Sequence, residues 1–290
     1  MADKGAVVVT GSSTGIGRAT ALLLDREGYR VFAGVRKQAD ADGLSQAGSD
    51  RLMPVILDVT DESAIAAAKA TVEAAVGDQG LVGIINNAGI GRGGPVEFLS
   101  LEDLRDQIEV NFTGQVAVTQ AFLPLIRKAR GKVFFISSIG GRIASPFMSP
   151  YSASKFALEG LADSLRREIS PWGMKVVVIE PGSISTEIWG KARDTASRLT
   201  DQMGDEQRRL YGPQLERFVE GLGETAKSGI PAEKVADVIL GALRSDNPRT
   251  RYLVGTDARI AARVNKLVGD RIFDRIIKRR LKLPDPPAGG

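Results

Sequence analysis

The sequence predicts an α/β fold, with helices on both faces of a doubly wound parallel sheet. Three observations carry this. Short β-branched apolar runs alternate with amphipathic helical stretches. The first run, Ala6 to Thr10, leads straight into a glycine-rich turn and a helix, and no internal repeat or low-complexity linker interrupts the alternation. At 290 residues, 43% of them hydrophobic and 26% charged, the chain can bury one large core without a second domain.

Composition excludes several chemistries. The chain has no cysteine and no histidine, which removes disulfides, thiolate nucleophiles, imidazole bases and the usual zinc sites. No metal is expected, and redox chemistry would need a bound organic cofactor. Residues 258 to 290 hold 9 Lys+Arg against 3 Asp, while the rest of the chain holds 30 Lys+Arg against 32 Asp+Glu. The basic balance therefore belongs to the tail, and nucleic acid is not an expected partner. No charged leader opens the sequence and no run of about 18 apolar residues could span a bilayer. The expectation is a cytoplasmic protein.

Taken in order, the first unit is the most informative. After the strand come Gly11, Ser13, Thr14, Gly15, Ile16 and Gly17, then a helix to about Glu27. Glycines let the backbone approach a pyrophosphate, and a helix N-terminus offers free N–H groups and a positive dipole end. The spacing Gly-x-x-x-Gly-x-Gly departs from the commoner dinucleotide fingerprint and shares its mechanism only. A second strand, Arg30 to Val35, ends at Val35, where an NAD-binding protein would place a carboxylate. Arg36 and Lys37 follow, and two cations suit a 2′-phosphate, so NADP(H) is preferred over NAD unless both are merely solvated. A third strand, Met53 to Val59, brings Asp58 and Val59 to the adenine position; Asp58 would accept from the amino group or cap the helix starting near Asp61-Glu62.

A fourth strand, Val82 to Ile85, enters the small turn Asn86-Asn87-Ala88-Gly89, whose asparagines should be structural and whose main chain should meet the cofactor. One long helix is expected over roughly Leu101 to Lys128. Its Asn111 lies beside the apolar face and needs partners: a water relaying protons toward Lys155, or a local backbone kink. A buried strand, Val133 to Ile136, carries Ser138 at its C-terminal edge. There a hydroxyl could donate to an oxygen gaining negative charge. Tyr151 and Lys155 stand four apart on one helical face. A cation beside the phenol is expected to lower its pKa from about 10, making a general acid/base; a packed aromatic beside a solvated lysine is the ordinary alternative.

The helix continues with Phe156, Leu158, Leu161 and Leu165, an apolar face broad enough for a homodimer or homotetramer contact or for core packing alone. A sixth strand, Lys175 to Glu180, closes with Pro181, Gly182, Ile184 and Thr186, placed to grip a nicotinamide amide at the sheet's C-terminal edge. Residues 187 to about 230 read as a helical lid. Ile139, Phe147, Met148, Ile188 and Trp189 would line a pocket for a bulky apolar alcohol or ketone. A helix, Ala232 to Leu243, and a strand, Tyr252 to Val254, complete the sheet. The tail then shows two amphipathic stretches, apolar at Ile260, Val264, Leu267, Ile272, Phe273 and Ile276. These could rest on an anionic membrane surface; packing on the body or another subunit is the more ordinary use of such faces. Pro284 to Gly290 should be disordered.

Thr10-Gly11-x-x-x-Gly15-Ile16-Gly17, Asn86-Asn87-Ala88-Gly89, Ser138, Tyr151-x-x-x-Lys155 and Pro181-Gly182 together resemble the short-chain dehydrogenase/reductase family. The resemblance covers roughly residues 4 to 256, and Tyr151 to Gly160 with Arg36 looks most like the steroid- and retinoid-type branch. It implies a Rossmann-type, seven-stranded sheet with Asn111, Ser138, Tyr151 and Lys155 as the catalytic set. Tyrosine would transfer the proton, serine would position the substrate oxygen, and lysine would also contact the nicotinamide ribose. The organisation expected is one dinucleotide-binding and catalytic domain over 1–257, with a lid at about 183–230, and a basic helical tail over 258–290. The alternative function is a non-catalytic, nucleotide-sensing binding protein on the same fold.

Overall fold

The computed structural model describes residues 4–280, with side chains throughout except at 188–189, 191–195, 202, 225–226 and 280. In chain order the elements are β1 (Ala6–Val9), α1 (Gly15–Arg26), β2 (Arg30–Val35), α2 (Gln38–Ala47), β3 (Leu52–Ile56), α3 (Glu62–Val76) and β4 (Gly83–Asn86). There follow α4 (Leu101–Ile108), α5 (Gly114–Lys128), β5 (Lys132–Ile136), α6 (Ser149–Ile169), β6 (Lys175–Pro181) and β7 (Ile184–Ser185). The chain continues through α7 (Glu187–Gln202), α8 (Asp205–Ser228), β8 (Ile230–Pro231), α9 (Ala232–Arg244), β9 (Arg251–Val254), α10 (Thr256–Leu267) and α11 (Asp270–Arg280).

Seven strands pair in the order β3-β2-β1-β4-β5-β6-β9, all parallel. The order reverses direction between β1 and β4, and a crevice opens at the C-terminal edge of such a switch point. Strand alternation builds two cores. Val8, Phe32, Val133, Phe135, Val176 and Val178 face α3, α5 and α6. Their neighbours Val7, Val9, Val31, Phe134, Val177 and Ile179 face α1, α2 and α9. Phe135 is fully buried, and its truncation to Ala should cost about 3–5 kcal/mol.

The expected third strand is shorter than its apolar run. β3 stops at Ile56, and Asp58 lies beyond it, accepting from Thr60 N and Oγ1 at 3.0 and 2.8 Å. Asp61 caps α3 instead, accepting from Ser63 and Ala64 N–H groups. The single helix expected over 101–128 is interrupted. A π-helical turn, Glu109–Thr113, separates α4 from α5. One extra residue per turn swings Asn111 inward, and Gly114 beside it can sit against Val59 because a Cβ there would lie 2.6 Å from the Val59 carbonyl oxygen.

The segment expected to form a lid folds into α7 and α8, which pack together around Ala196, Met203 and Leu215. It is bracketed by a two-stranded pair, β7 with β8, too short to announce itself in the sequence. The side chains of Ile188 and Trp189 and the expected disorder of Pro284 to Gly290 lie outside the described residues. The tail helix α10 starts at Thr256, and no described helix is long and apolar enough to cross a membrane.

Candidate active site

At the β1–α1 turn, Gly11 and Gly15 take φ of +65° and +55°, the left-handed region that glycine enters without penalty. Thr14 N-caps α1 with no side-chain bond to the helix, so the cap residue itself leaves the first-turn N–H groups unclaimed. Gly17 does a different job. A Cβ there would lie 2.2 Å from the Gly11 carbonyl oxygen, so Gly17 closes the turn from behind.

The neighbouring turn after β4 is sewn onto this one. Thr10 Oγ1 accepts from the Asn87 and Ala88 N–H groups at 2.9 and 3.0 Å, while Asn87 Nδ2 donates to the Thr10 and Gly11 carbonyls. Asn86 donates to Thr119 Oγ1 at 3.0 Å. Both asparagines are therefore structural, as expected.

One cavity of about 1140 Å³ runs along the C-terminal edge of the sheet. Of the residues expected to hold a cofactor, all but Gly17 line it, from Gly11 and Thr14 through Arg36, Lys37 and Asp58 to Pro181, Ile184 and Thr186. Ser138, Tyr151 and Lys155 line it too.

The reactive groups are fixed by their surroundings. Ser138 caps a short 3-10 turn, its Oγ accepting from Gly140 N at 3.0 Å, which leaves its hydroxyl proton to donate. Tyr151 and Lys155 are 7% and 4% exposed. Lys155 Nζ donates to the Ile136 carbonyl at 2.7 Å and stands 5.7 Å from the centroid of the Tyr151 ring. Burial pushes the Tyr151 phenol above its ordinary pKa, against a smaller downward pull from its hydrogen bond with Ser138. This corrects the expected lowering: at this depth desolvation of a phenolate is the largest influence on the phenol. Burial likewise lowers Lys155 to about 8, partly opposed by Glu159.

Asn111 is fully buried and stands behind the cavity. Its Oδ1 accepts from Ile90 N at 2.8 Å, and its Nδ2 donates to the Ile90 carbonyl and to Ser154 Oγ at 3.0 and 3.2 Å. It thus ties α6 to the loop after β4 through the π turn, the kink that the sequence left open. Gln107, one turn earlier, holds the same loop by accepting from Arg92 N and donating to the Ile90 carbonyl. Sequence reasoning passed over Gln107, although its i, i+4 spacing from Asn111 was a signal.

Of the expected substrate residues whose side chains are described, none lines this cavity. Phe147 packs its ring on Phe218 of the lid, centroids 5.6 Å apart, Met148 is buried, and neither they nor Ile139 are among the lining residues. Phe147 holds φ of +63°, and that unusual backbone turns its side chain into the lid cluster. Ile90, Arg92, Glu109, Glu187 and Arg198 line the cavity instead. No spacing pattern distinguished them in the sequence.

Residues 5–197 match the family model described as short chain dehydrogenase. The chain belongs to this family. Among its short-chain dehydrogenase relatives, NADPH-dependent 3-dehydrocapnine reductase of Ornithobacterium rhinotracheale is 36% identical over 280 residues, covering 95% of this chain and 96% of the relative. Retinol dehydrogenase 16 of Mus musculus is 40% identical over 259 residues, covering 88% and 81%. The 17-beta-hydroxysteroid dehydrogenase type 6 of Bos taurus is 40% identical over 260 residues, covering 87% and 81%. The chain is an oxidoreductase of the steroid- and retinoid-type branch of the short-chain dehydrogenase/reductases, a family acting on small alcohols and ketones.

Proposed function

We propose that this enzyme interconverts a bulky apolar secondary alcohol and its ketone with NADP(H), and that Tyr151 is the general acid/base. The observation that carries this reading is the buried set of Ser138, Tyr151 and Lys155 in the cavity that Arg36 and Lys37 also line.

The residues present fit a nicotinamide dinucleotide. Glycines whose Cβ atoms would meet backbone within 3 Å line and close the β1–α1 turn, the N-terminus of α1 carries no side-chain cap, and two exposed cations follow β2. Gly11 to Gly17 would hold the pyrophosphate, Arg36 and Lys37 a 2′-phosphate, Asp58 and Val59 the adenine, and Pro181 to Thr186 the nicotinamide. When bound, the cofactor supplies the hydride. The chain itself handles the proton and the oxygen. Tyr151, kept protonated by burial, gives its proton to the carbonyl oxygen while Ser138 donates to the same oxygen. A phenol that holds its proton at neutral pH suits ketone reduction, and the NADPH-dependent relative is itself named a reductase. Lys155 keeps an ammonium beside the phenol, and Asn111 holds the supporting backbone.

Retinol and 17-beta-hydroxysteroid dehydrogenases among the relatives support a bulky apolar substrate. Phe156, 46% exposed on α6, marks the face on which two copies would pair. Exposed Ile260, Leu267, Ile272 and Ile276 among the basic residues of α10 and α11 support peripheral contact with an anionic membrane.

The test is titration with NADPH and NADH, following nicotinamide fluorescence, and then turnover of apolar ketones with the tighter binder. Tight NADPH binding with ketone consumption supports the proposal. Preference for NADH overturns the reading of Arg36 and Lys37, and binding of neither overturns the cradle.

A further inference from the structure

Behind Lys155 lies an ionic cluster with no part in the chemistry described so far. Glu180, the penultimate residue of β6, is completely buried. Its Oε1 accepts from Arg142 Nε at 2.6 Å, with Arg251 Nε 3.6 Å away. Glu159, one helical turn beyond Lys155 on α6, accepts from Arg251 Nε at 2.9 Å, and Arg251 Nη1 reaches Asp163 at 3.1 Å. Asp163 also pairs with Arg166 at 3.2 Å. The charged groups facing the two glutamates thus come from α6, from the loop after β5 and from β9.

The two remaining carboxyl oxygens decide the protonation state. Glu159 Oε1 and Glu180 Oε2 are both buried with no donor among the described residues. Arg251 Nε lies 2.9 Å from one carboxyl and 3.6 Å from the other, so the two are neighbours; a buried pair of carboxylates is strongly disfavoured, and one proton between them relieves both oxygens. Burial pushes Glu180 up to about 7, against the pull of Arg142 and with the added repulsion of Glu159, consistent with that proton. With it in place, the pair and Asp163 set two negative charges against the guanidiniums of Arg142 and Arg251. Glu159 is the carboxyl that acts electrostatically on Lys155. Glu159 follows Lys155 by four residues on α6, the spacing that puts both on one helical face, and Gly141 leaves room for its side chain, since a Cβ there would sit 3.1 Å from Glu159 Cγ.

We infer that Glu159 and Glu180 share a single proton and act together as positioning residues for Lys155, their combined charge setting how much of Lys155 is ammonium. This rests on the reading of Lys155 as the cation beside Tyr151. As pH rises and the shared proton leaves, a second negative charge develops behind Lys155 and holds its ammonium against deprotonation. The active site then keeps its cation over a wider pH range than a lysine this deeply buried would manage alone.

Two measurements on the cofactor-free protein test the inference without reference to turnover. The infrared spectrum of the wild type at pH 6 should contain a buried protonated-carboxyl band, lost on raising the pH to 9 and lost in both Glu159→Gln and Glu180→Gln. In protein labelled with ¹⁵N-lysine, the Lys155 Nζ resonance, assigned by its loss in Lys155→Arg, should titrate lower by about one pH unit in Glu159→Gln and by less in Glu180→Gln, the effect of removing a nearby opposite charge. The alkaline limb of the ketone-reduction rate should move to lower pH by the same amounts, which a merely structural role would not produce. Absence of the band in the wild type, or a Lys155 midpoint unchanged in Glu159→Gln, overturns the inference. If the NMR shifts occur while Tyr151→Phe retains turnover, the proton-sharing pair stands and only the assignment of Tyr151 falls.

Discussion

Lys155 on α6 donates from Nζ to the carbonyl of Ile136 on β5 at 2.7 Å, so the ammonium is fastened to the strand end that carries Ser138. One bond thereby joins the helix bearing Tyr151 to the strand bearing its partner. The ammonium is held at depth, and depth has a cost.

Lys155→Met should therefore stabilise the protein at neutral pH while removing activity. The folded value of about 8 lies below the ordinary 10.5. Between these values the folded state binds fewer protons than the unfolded one, so stability rises with pH across the window and the penalty is complete below about 8. That penalty is about 3 kcal/mol, offset by about 2 kcal/mol for the charged hydrogen bond to Ile136 that methionine forfeits. Denaturant unfolding at pH 7 should show a net gain of about 1 kcal/mol that turns into a net loss by pH 10.5, where the penalty is gone and the bond to Ile136 is still forfeited. An equal gain at both pH values would mean that Lys155 is not held charged in the fold.

Tyr151→Phe should lower ketone-reduction kcat by at least about 100-fold, the usual contribution of a positioned general acid, with less than a twofold change in NADPH affinity. In the wild type the rate should be level below about pH 7 and decline above 8 as Lys155 loses its proton. Stopped-flow reduction and fluorescence titration separate the two effects. Retained turnover removes Tyr151 from the mechanism.

Asn111→Ala leaves the Ile90 N–H without its acceptor and Ser154 Oγ without a donor. The buried N–H alone should cost about 2 kcal/mol in unfolding free energy. Because Ile90 lines the cavity, kcat should fall as well, by about tenfold. Gln107→Ala loosens the same loop one turn further away and should lower kcat less.

Asp257→Ala tests an anchor at the start of α10. Asp257 Oδ2 accepts from Ser183 N at 2.9 Å, and Gly182 and Gly255 are compelled to lack a Cβ because each would meet Asp257 Oδ1 at 2.5 Å. Without this carboxylate the Pro181–Gly182 loop loses its fixed place. NADPH affinity should drop by about tenfold while overall stability changes by about 1 kcal/mol; an unaltered affinity would detach this loop from cofactor binding.

What was legible in the sequence follows the range of each signal. The β1–α1 turn and the Tyr151–Lys155 pair are local patterns of fixed spacing, and both fall where their spacing places them. The π turn at Asn111 was hidden because Glu109–Thr113 contains no glycine or proline to mark a break in the helix. The Arg142, Glu159, Glu180 and Arg251 cluster was invisible for the opposite reason: its members sit on separate segments that only the parallel order β5-β6-β9 brings together. The sign of the Tyr151 shift failed because neighbouring charge can be read from spacing, whereas burial depends on everything packed around it.

Cofactor choice is the remaining question that a single position can decide. β2 ends in Val35, buried, with Arg36 exposed at the cavity edge beside Gly34 and Lys37. A guanidinium there can make charge-assisted bonds to a 2′-phosphate, but it offers a ribose hydroxyl no acceptor. Arg36→Asp reverses both terms, supplying an acceptor for the hydroxyls and repelling the phosphate. With each charge-assisted bond contributing about 1.5–3 kcal/mol, the NADPH to NADH affinity ratio should fall by at least about 100-fold. Lys37→Ala, which removes charge without adding an acceptor, should lower NADPH affinity by about tenfold and leave NADH binding unchanged. Parallel fluorescence titrations of the three proteins read both ratios. If Arg36→Asp left the ratio where it was, Arg36 would be a solvated loop cation and the discrimination would have to come from elsewhere in the adenine end of the cavity.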